Sequence, residues 1–184
     1  KFVLSLFFGN LFSQNSSLVS EAKTLPNIDG EVINDEAWEG ISAIKTFTQK
    51  SPDEGTPSTE QTIVKIMYSE ETFYVSVVCY DSEPNKIVIT DTRRDAPLNN
   101  TDSFMFVLDT YQDQQNGFVF GTNAGGIEYD AQVSGGGEGM SISSTRQSVG
   151  IGANFNINWD AAWEVKTKIG DFGWSAEFAI PFKT

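Results

Sequence analysis

Thr101-Asp102-Ser103-Phe104-Met105-Phe106-Val107-Leu108-Asp109 is a run of strand length, and two more follow it: Phe118-Val119-Phe120-Gly121-Thr122-Asn123 and Ile127 to Val133. The breaks between them, Thr110 to Gly117 and Ala124-Gly125-Gly126, are polar or glycine-rich. Strand side chains alternate sides, so Phe104, Phe106 and Leu108 share one face while Met105 and Val107 share the other. A strand apolar on both faces is expected at the centre of its sheet, covered from both sides. The three runs therefore read as a meander through the middle of an all-β domain.

Outward from this block the pattern repeats. Thr62 to Tyr68 and Thr72 to Tyr80 are β-rich runs joined by Ser69-Glu70-Glu71, a hairpin signal. Cys79 is in phase with Phe73, Val75 and Val77, which makes it a buried structural thiol and not a nucleophile. Ile87-Val88-Ile89 reads as a further short strand, and Asp91 to Asn100 as a polar connection. Trp163 to Ile169 alternates strictly, with Trp163, Val165 and Ile169 inward. After the turn Gly170-Asp171-Phe172-Gly173, the strand Trp174 to Ile180 returns and stops at Pro181. Near the start, Ala43 to Gln49 is a strand candidate, and Asn34-Asp35-Glu36-Ala37-Trp38 offers a helical turn with Asn34 as cap. About ten strands with one short helical turn predict an antiparallel β-sandwich of jelly-roll or immunoglobulin-like type. Trp38, Trp163 and Trp174 are assigned to its core.

Residues 1–14 hold one lysine, a short apolar stretch and small or polar residues near Ser13, as a secretory signal peptide does. Residues 15–24 read as a linker and 25–184 as the folded domain. Ser134 to Asn158 turns to Gly, Ser and Asn and reads as a long loop or loose edge region.

Composition narrows the chemistry. The 184 residues, with 14 Phe, are enough for one domain with a sizeable core. A net charge of -13 argues against nucleic acid and anionic membranes as partners. With no histidine, Ser-His-Asp and Cys-His catalysis and the usual zinc and haem ligand sets are excluded. One cysteine permits no internal disulfide. Carboxylates are plentiful, but no two stand out as a glycosidase pair. Gly135-Gly136-Gly137-Glu138-Gly139 lacks the Lys-Ser/Thr and helix of a phosphate loop.

The binding candidates are as follows. Trp159 follows the Gly- and Asn-rich stretch beside Asn158 and Asp160; it suits either a sugar platform or a structural anchor. Arg94, in Arg93-Arg94-Asp95, can clamp an anionic group bidentately or tie its loop to nearby acids. Asp109, Asp113 and Asn116 share one loop and have the oxygen chemistry for Ca²⁺, or for Asx turns at strand ends. Asp102, Glu128, Asp130 and Asp160 are alternative cation ligands.

The chain resembles the carbohydrate-binding module family 9-like domain, a β-sandwich related to the DOMON group. The matching pieces are Ile28-Asp29-Gly30, Asp35-Glu36-Ala37-Trp38, Phe73-Tyr74-Val75 leading to Asp81, Asp102 to Asp109, and Gly173 to Pro181. A secreted subgroup is similar also at Thr59-Glu60, Arg93-Arg94-Asp95, Asn116 to Phe120, Asn123, and Trp159 to Val165. Domains of that subgroup stand at the N-terminus of larger Gram-negative proteins whose remainder is a predicted outer-membrane barrel. The resemblance implies a non-catalytic carbohydrate-binding-like domain, secreted to the periplasm or outer membrane, with an oligosaccharide or polysaccharide as partner. The alternative it implies is an accessory, protein-contacting domain of a larger envelope protein. Two departures from the family are visible. Its sugar-binding members have a Trp just before the Asp-Ser strand and a Glu within it, where this chain has Asn99 or Asn100 and Met105. The family also continues past the Ile-Pro-Phe-Lys-Thr position, so the last strands are expected to be missing. A haem or redox role of DOMON type is disfavoured by the lack of histidine and the three methionines.

Overall fold

The structure, a computed structural model, describes residues 18–135 and 154–184. The expected signal peptide and the Gly-rich 136–153 stretch lie outside the described residues. Among the described residues ten strands run in chain order: β1 Val19–Glu21, β2 Ala43–Ile44, β3 Thr62–Tyr68, β4 Thr72–Tyr80, β5 Ser103–Leu108, β6 Gly117–Asn123, β7 Tyr129–Ser134, β8 Asn154–Asn156, β9 Glu164–Gly170 and β10 Gly173–Pro181. Two 3-10 turns, Glu36–Trp38 and Pro84–Lys86, punctuate the strands. The described chain falls into two compact units, one over 88–161 and one over 18–87 with 162–184.

The second unit holds a six-stranded sheet in the order β1-β3-β4-β10-β9, with β2 also pairing β3. The β3–β4 hairpin forms at the expected residues, with Tyr68 opposite Phe73 and Thr62 opposite Cys79. Residues 15–24 were expected to be linker, yet Val19–Glu21 pairs in parallel with Ile66 to Tyr68 and belongs to the sheet. One face of this sheet packs Met67, Tyr74 and Val78 against Val32, Ala37 and Trp38 of the preceding segment. Full burial of a side chain such as Val32, Met67 or Val78 stabilises by about 1.5–3 kcal/mol. Asp35, not Asn34, caps the 3-10 turn, accepting from the Ala37 amide at 2.8 Å; it is the residue directly before the first turn. Gly173 must be glycine: its φ is +124°, and a Cβ there would lie 2.1 Å from the Cys79 carbonyl oxygen.

Two readings of this unit need correction. The strand expected over Ala43 to Gln49 is only two residues long, followed by an isolated bridge between Thr48 and Pro57. Ile169 shares a phase with buried Trp163 and Val165 but is 47% exposed. It sits at the far end of β9, the edge strand of its sheet, next to the turn into β10.

The first unit holds a four-stranded antiparallel sheet in the order β5-β6-β7-β8. The meander is as expected, but β5 is an edge strand and not the centre. Its two apolar faces reflect cover above and below, which the ladder order does not determine. On the Met105 face, Ala96 and Leu98 from the preceding connection, together with Ile127, Tyr129, Ala131 and Val133, close a buried cluster. Phe104 and Phe106 on the opposite face are also buried. Ile87-Val88-Ile89 is not a strand. Its polar groups go to a loop instead: the Val88 amide donates to Asp102 at 2.7 Å, and the Val88 carbonyl accepts from the Asp102 amide and the Thr101 hydroxyl.

Candidate functional site

In the 88–161 unit, Phe118 and Phe120 lie in phase on β6, on the face that also carries Phe104 and Phe106 across the β5 pairing. Trp159 rests on this pair. Its ring centroid is 4.6 Å from Phe118, tilted by 33°, and 6.0 Å from Phe120 in an edge-on arrangement. Aromatic contacts of this kind contribute about 0.5–1.5 kcal/mol each beyond area burial. Trp159 is nevertheless only half-buried. The backbone turns beneath it through the Trp159 amide to the Asn156 carbonyl and the Asn158 amide to the Asn156 side chain. Trp159 is thus anchored on Phe118 and Phe120 and remains partly exposed.

The residue after it leads into a charged cluster. Arg94 donates to Glu128, to Asp130 at 2.6 Å and to Asp160, and its Nη2 also approaches the Ala161 carbonyl at 3.4 Å. Asp130 is 0% exposed. Its second oxygen accepts from the Ala161 amide at 2.7 Å, so both oxygens of this buried carboxylate are matched. Arg94 thus ties the connection before β5, the start of β7 and the 159–161 segment to one point. Of the two roles open to Arg94, the loop tie is the one the structure forms. Arg93 pairs locally instead, through Asp91 at 2.6 Å. That contact holds the Asp91 carboxyl well below the ordinary range.

Asp95 takes the left-handed conformation, with φ +58°. Its Oδ1 is buried with no hydrogen-bond partner among the described residues. Burial raises the pKa of this carboxyl; the nearby Asp130 and Asp160 charges push the same way, while a hydrogen bond and Arg94 oppose. Tyr129 is pushed up to about 12 by burial first and by the Asp95 charge second.

The third group of expected residues lies in the β5–β6 loop. Asp109 accepts from the amides of Asp113 at 3.3 Å and Gln114 at 2.8 Å. Asp113 accepts from the amides of Gln115 and Asn116 and from the Asn116 side chain. These carboxylates form the Asx turns of a strand-end loop. Among the described residues no group of three or more acidic, Cys or His side chains is arranged to hold a metal ion. The alternative ligands Glu128, Asp130 and Asp160 already surround the Arg94 guanidinium, and Asp102 holds the Val88 amide.

The structure therefore brings Trp159, Asp160 and Arg94 together, with exposed Asn158 adjacent, and keeps Asp109, Asp113 and Asn116 in a separate loop. Sequence reasoning missed the seat formed by Phe118 and Phe120; their shared phase on β6 was the available signal. Chemically, the assembly offers a partly exposed indole next in the chain to an exposed carboxylate and an exposed amide. Such groups have the chemistry to stack on the C–H face of a ring and to exchange hydrogen bonds with hydroxyls.

No protein-family model matches the sequence, and no curated protein matches it. Solved structures do. A carbohydrate-binding module of family 9 from Caldicellulosiruptor kristjanssonii in complex with cellotriose matches with a TM-score of 0.57 at 16% identity, over 90% of this chain and 68% of that one. A module of the same family and organism in complex with glucose matches with a TM-score of 0.54 at 17% identity, over 90% and 69%. The fold is thus like that of family 9 modules, the all-β sandwich read from the sequence. Where sugar-binding members of the resembling family have a Glu, Met105 is buried among Ala96, Leu98 and Val119, so no carboxylate stands at that place.

Proposed function

We propose that the chain is a non-catalytic carbohydrate-binding domain of a secreted or cell-envelope protein, with Trp159 as its sugar platform. The observation that carries this reading is the half-buried Trp159 ring, packed on Phe118 and Phe120 and adjacent in the chain to exposed Asp160 and Asn158. A rigid aromatic face loses little freedom on binding, which is why such residues serve as anchors. The likeness in fold to modules in complex with cellotriose and glucose supports neutral glucans as the first ligands to try. Arg94 supports the site from beneath by fixing Asp160 and the 159–161 backbone.

Titration with a panel of soluble oligosaccharides, on the protein and on its Trp159→Ala variant, tests the reading. Binding that disappears with the indole supports it; binding indifferent to Trp159 removes the site.

A second reading, a protein-contacting accessory domain, is favoured by a different place. In the 18–87 and 162–184 unit, Leu25, Pro26, Tyr74, Trp163, Ala179 and Pro181 line a shallow apolar cleft of about 440 Å³. Its rim includes Leu25, which is largely exposed. Retention of binding to a full-length envelope partner in Trp159→Ala, with no glycan bound by either form, would favour this reading.

A further inference from the structure

Tyr111 is the most exposed large hydrophobic side chain among the described residues, at 69%. It does not lie on a loosely held loop. The five hydrogen bonds of Asp109 and Asp113 fix the backbone from Asp109 to Asn116. Gln112 and Gln114, neither of them glycine, are held in the left-handed region at φ +56° and +57°. Such conformations cost free energy and persist only where the surroundings impose them. The loop is thus built to a definite shape, and that shape raises an aromatic ring into solvent.

Its position is defined by the hairpin. Tyr111 comes three residues after Leu108, so its Cα is within about 10 Å of that residue's. Leu108 is the register partner of Phe118, and Phe118 carries the Trp159 ring. Tyr111 and Trp159 therefore belong to the same end of the β5–β6 pair. The groups around them are amides and carboxylates: exposed Asp113 in the loop and exposed Asp160 beside Trp159 carry negative charge. Gln112, Gln114 and Gln115 are exposed, and their side-chain amides form no hydrogen bond among the described residues. The two carboxylates of the loop are turned onto backbone amides. An exposed ring with free amides beside carboxylates suits the hydroxyls of a neutral glycan and disfavours an anionic ligand.

We propose that the β5–β6 loop is a second sugar-contacting element, with Tyr111 stacking on a ring of a neutral oligosaccharide that also occupies Trp159. The proposal rests on the sugar reading of Trp159 and extends it from one sugar ring to a chain.

The test is calorimetric titration of the protein, Tyr111→Ala, Tyr111→Phe and Trp159→Ala with glucose and with cello-oligosaccharides of increasing length. Tyr111→Ala is expected to weaken the longer ligands about tenfold while leaving glucose within about twofold, and Tyr111→Phe to retain wild-type affinity. Trp159→Ala is expected to weaken every ligand. If Tyr111→Ala matches wild type at all lengths while Trp159→Ala loses binding, the second element is overturned and the Trp159 platform survives. If the wild-type protein binds none of the series, both fall together. Circular dichroism on each variant excludes unfolding; at so exposed a position none is expected.

Discussion

Trp38 donates its indole N–H to Oε1 of Glu177 across 2.7 Å, joining the 3-10 turn near the start of the fold to the middle of β10. The other oxygen of Glu177 accepts the amides of Gly30 at 2.8 Å and Asp29 at 3.1 Å. Glu177 is fully buried, and burial raises its pKa while these donors oppose the shift. Gly30 is bound to this place by its backbone: φ is +87°, and a Cβ would lie 2.5 Å from the carbonyl carbon of Thr167. The N-terminal segment is thus docked onto the six-stranded sheet by one carboxylate meeting three donors.

Glu177→Gln should therefore destabilise the fold despite its near-identical shape. The amide replaces one acceptor with a donor and leaves at least one buried N–H facing another. The expected loss is about 2–3 kcal/mol, read from the urea midpoint at an unchanged slope. A variant as stable as wild type would remove Glu177 from this role.

Arg94→Met should cost more than its half-exposed position suggests. It strands Asp130, a buried carboxylate whose second oxygen is already committed to the Ala161 amide. Breaking such a pair from one side costs about 3–5 kcal/mol. The double variant Arg94→Met with Asp130→Asn should recover part of that loss, and a failure to recover any would show that the pair is not the cause.

Asp95→Asn should stabilise the protein at neutral pH. The folded state raises the Asp95 pKa, so ionisation opposes folding. The penalty is absent below the unfolded value of about 3.9, where both states are protonated, and grows as pH rises through the folded value. Asn also tolerates the left-handed conformation. Thermal midpoints of the two proteins should converge near pH 3 and separate above it, with the variant higher. Parallel curves would contradict the assignment.

Excess Ca²⁺ should leave the thermal midpoint unchanged. A ligand of the native state must raise stability, but the Asp109 and Asp113 oxygens already serve backbone amides. A rise abolished by Asp113→Ala would instead make the β5–β6 loop a cation site.

How far the sequence reached depends on what each feature encodes. Period-two alternation and Ser69-Glu70-Glu71 are local, and the β3–β4 hairpin was legible to the residue. The place of β5 in its sheet was not. Apolarity on both faces reports cover, and an edge strand under a connecting segment that contributes Ala96 and Leu98 has the same composition as a central one. Val88 and Ile89 looked like a strand because β-branching favours one, but the long-range hydrogen bonds with Asp102 override that preference. Val19–Glu21 was hidden because a three-residue parallel partner needs only the backbone of β3. At the site, Trp159 and Asp160 were visible as a loop-edge aromatic beside an acid. The Arg94 ring was not, since its acids come from positions 34, 36 and 66 residues away.

The central claim concerns one ring face, and titration of cellotriose into the wild-type protein and Trp159→Ala tests it most directly. The wild type should bind, and the variant, folded by circular dichroism, should lose at least about tenfold in affinity. Equal affinity in the two proteins, or no binding by either to this or any neutral glycan, would contradict it.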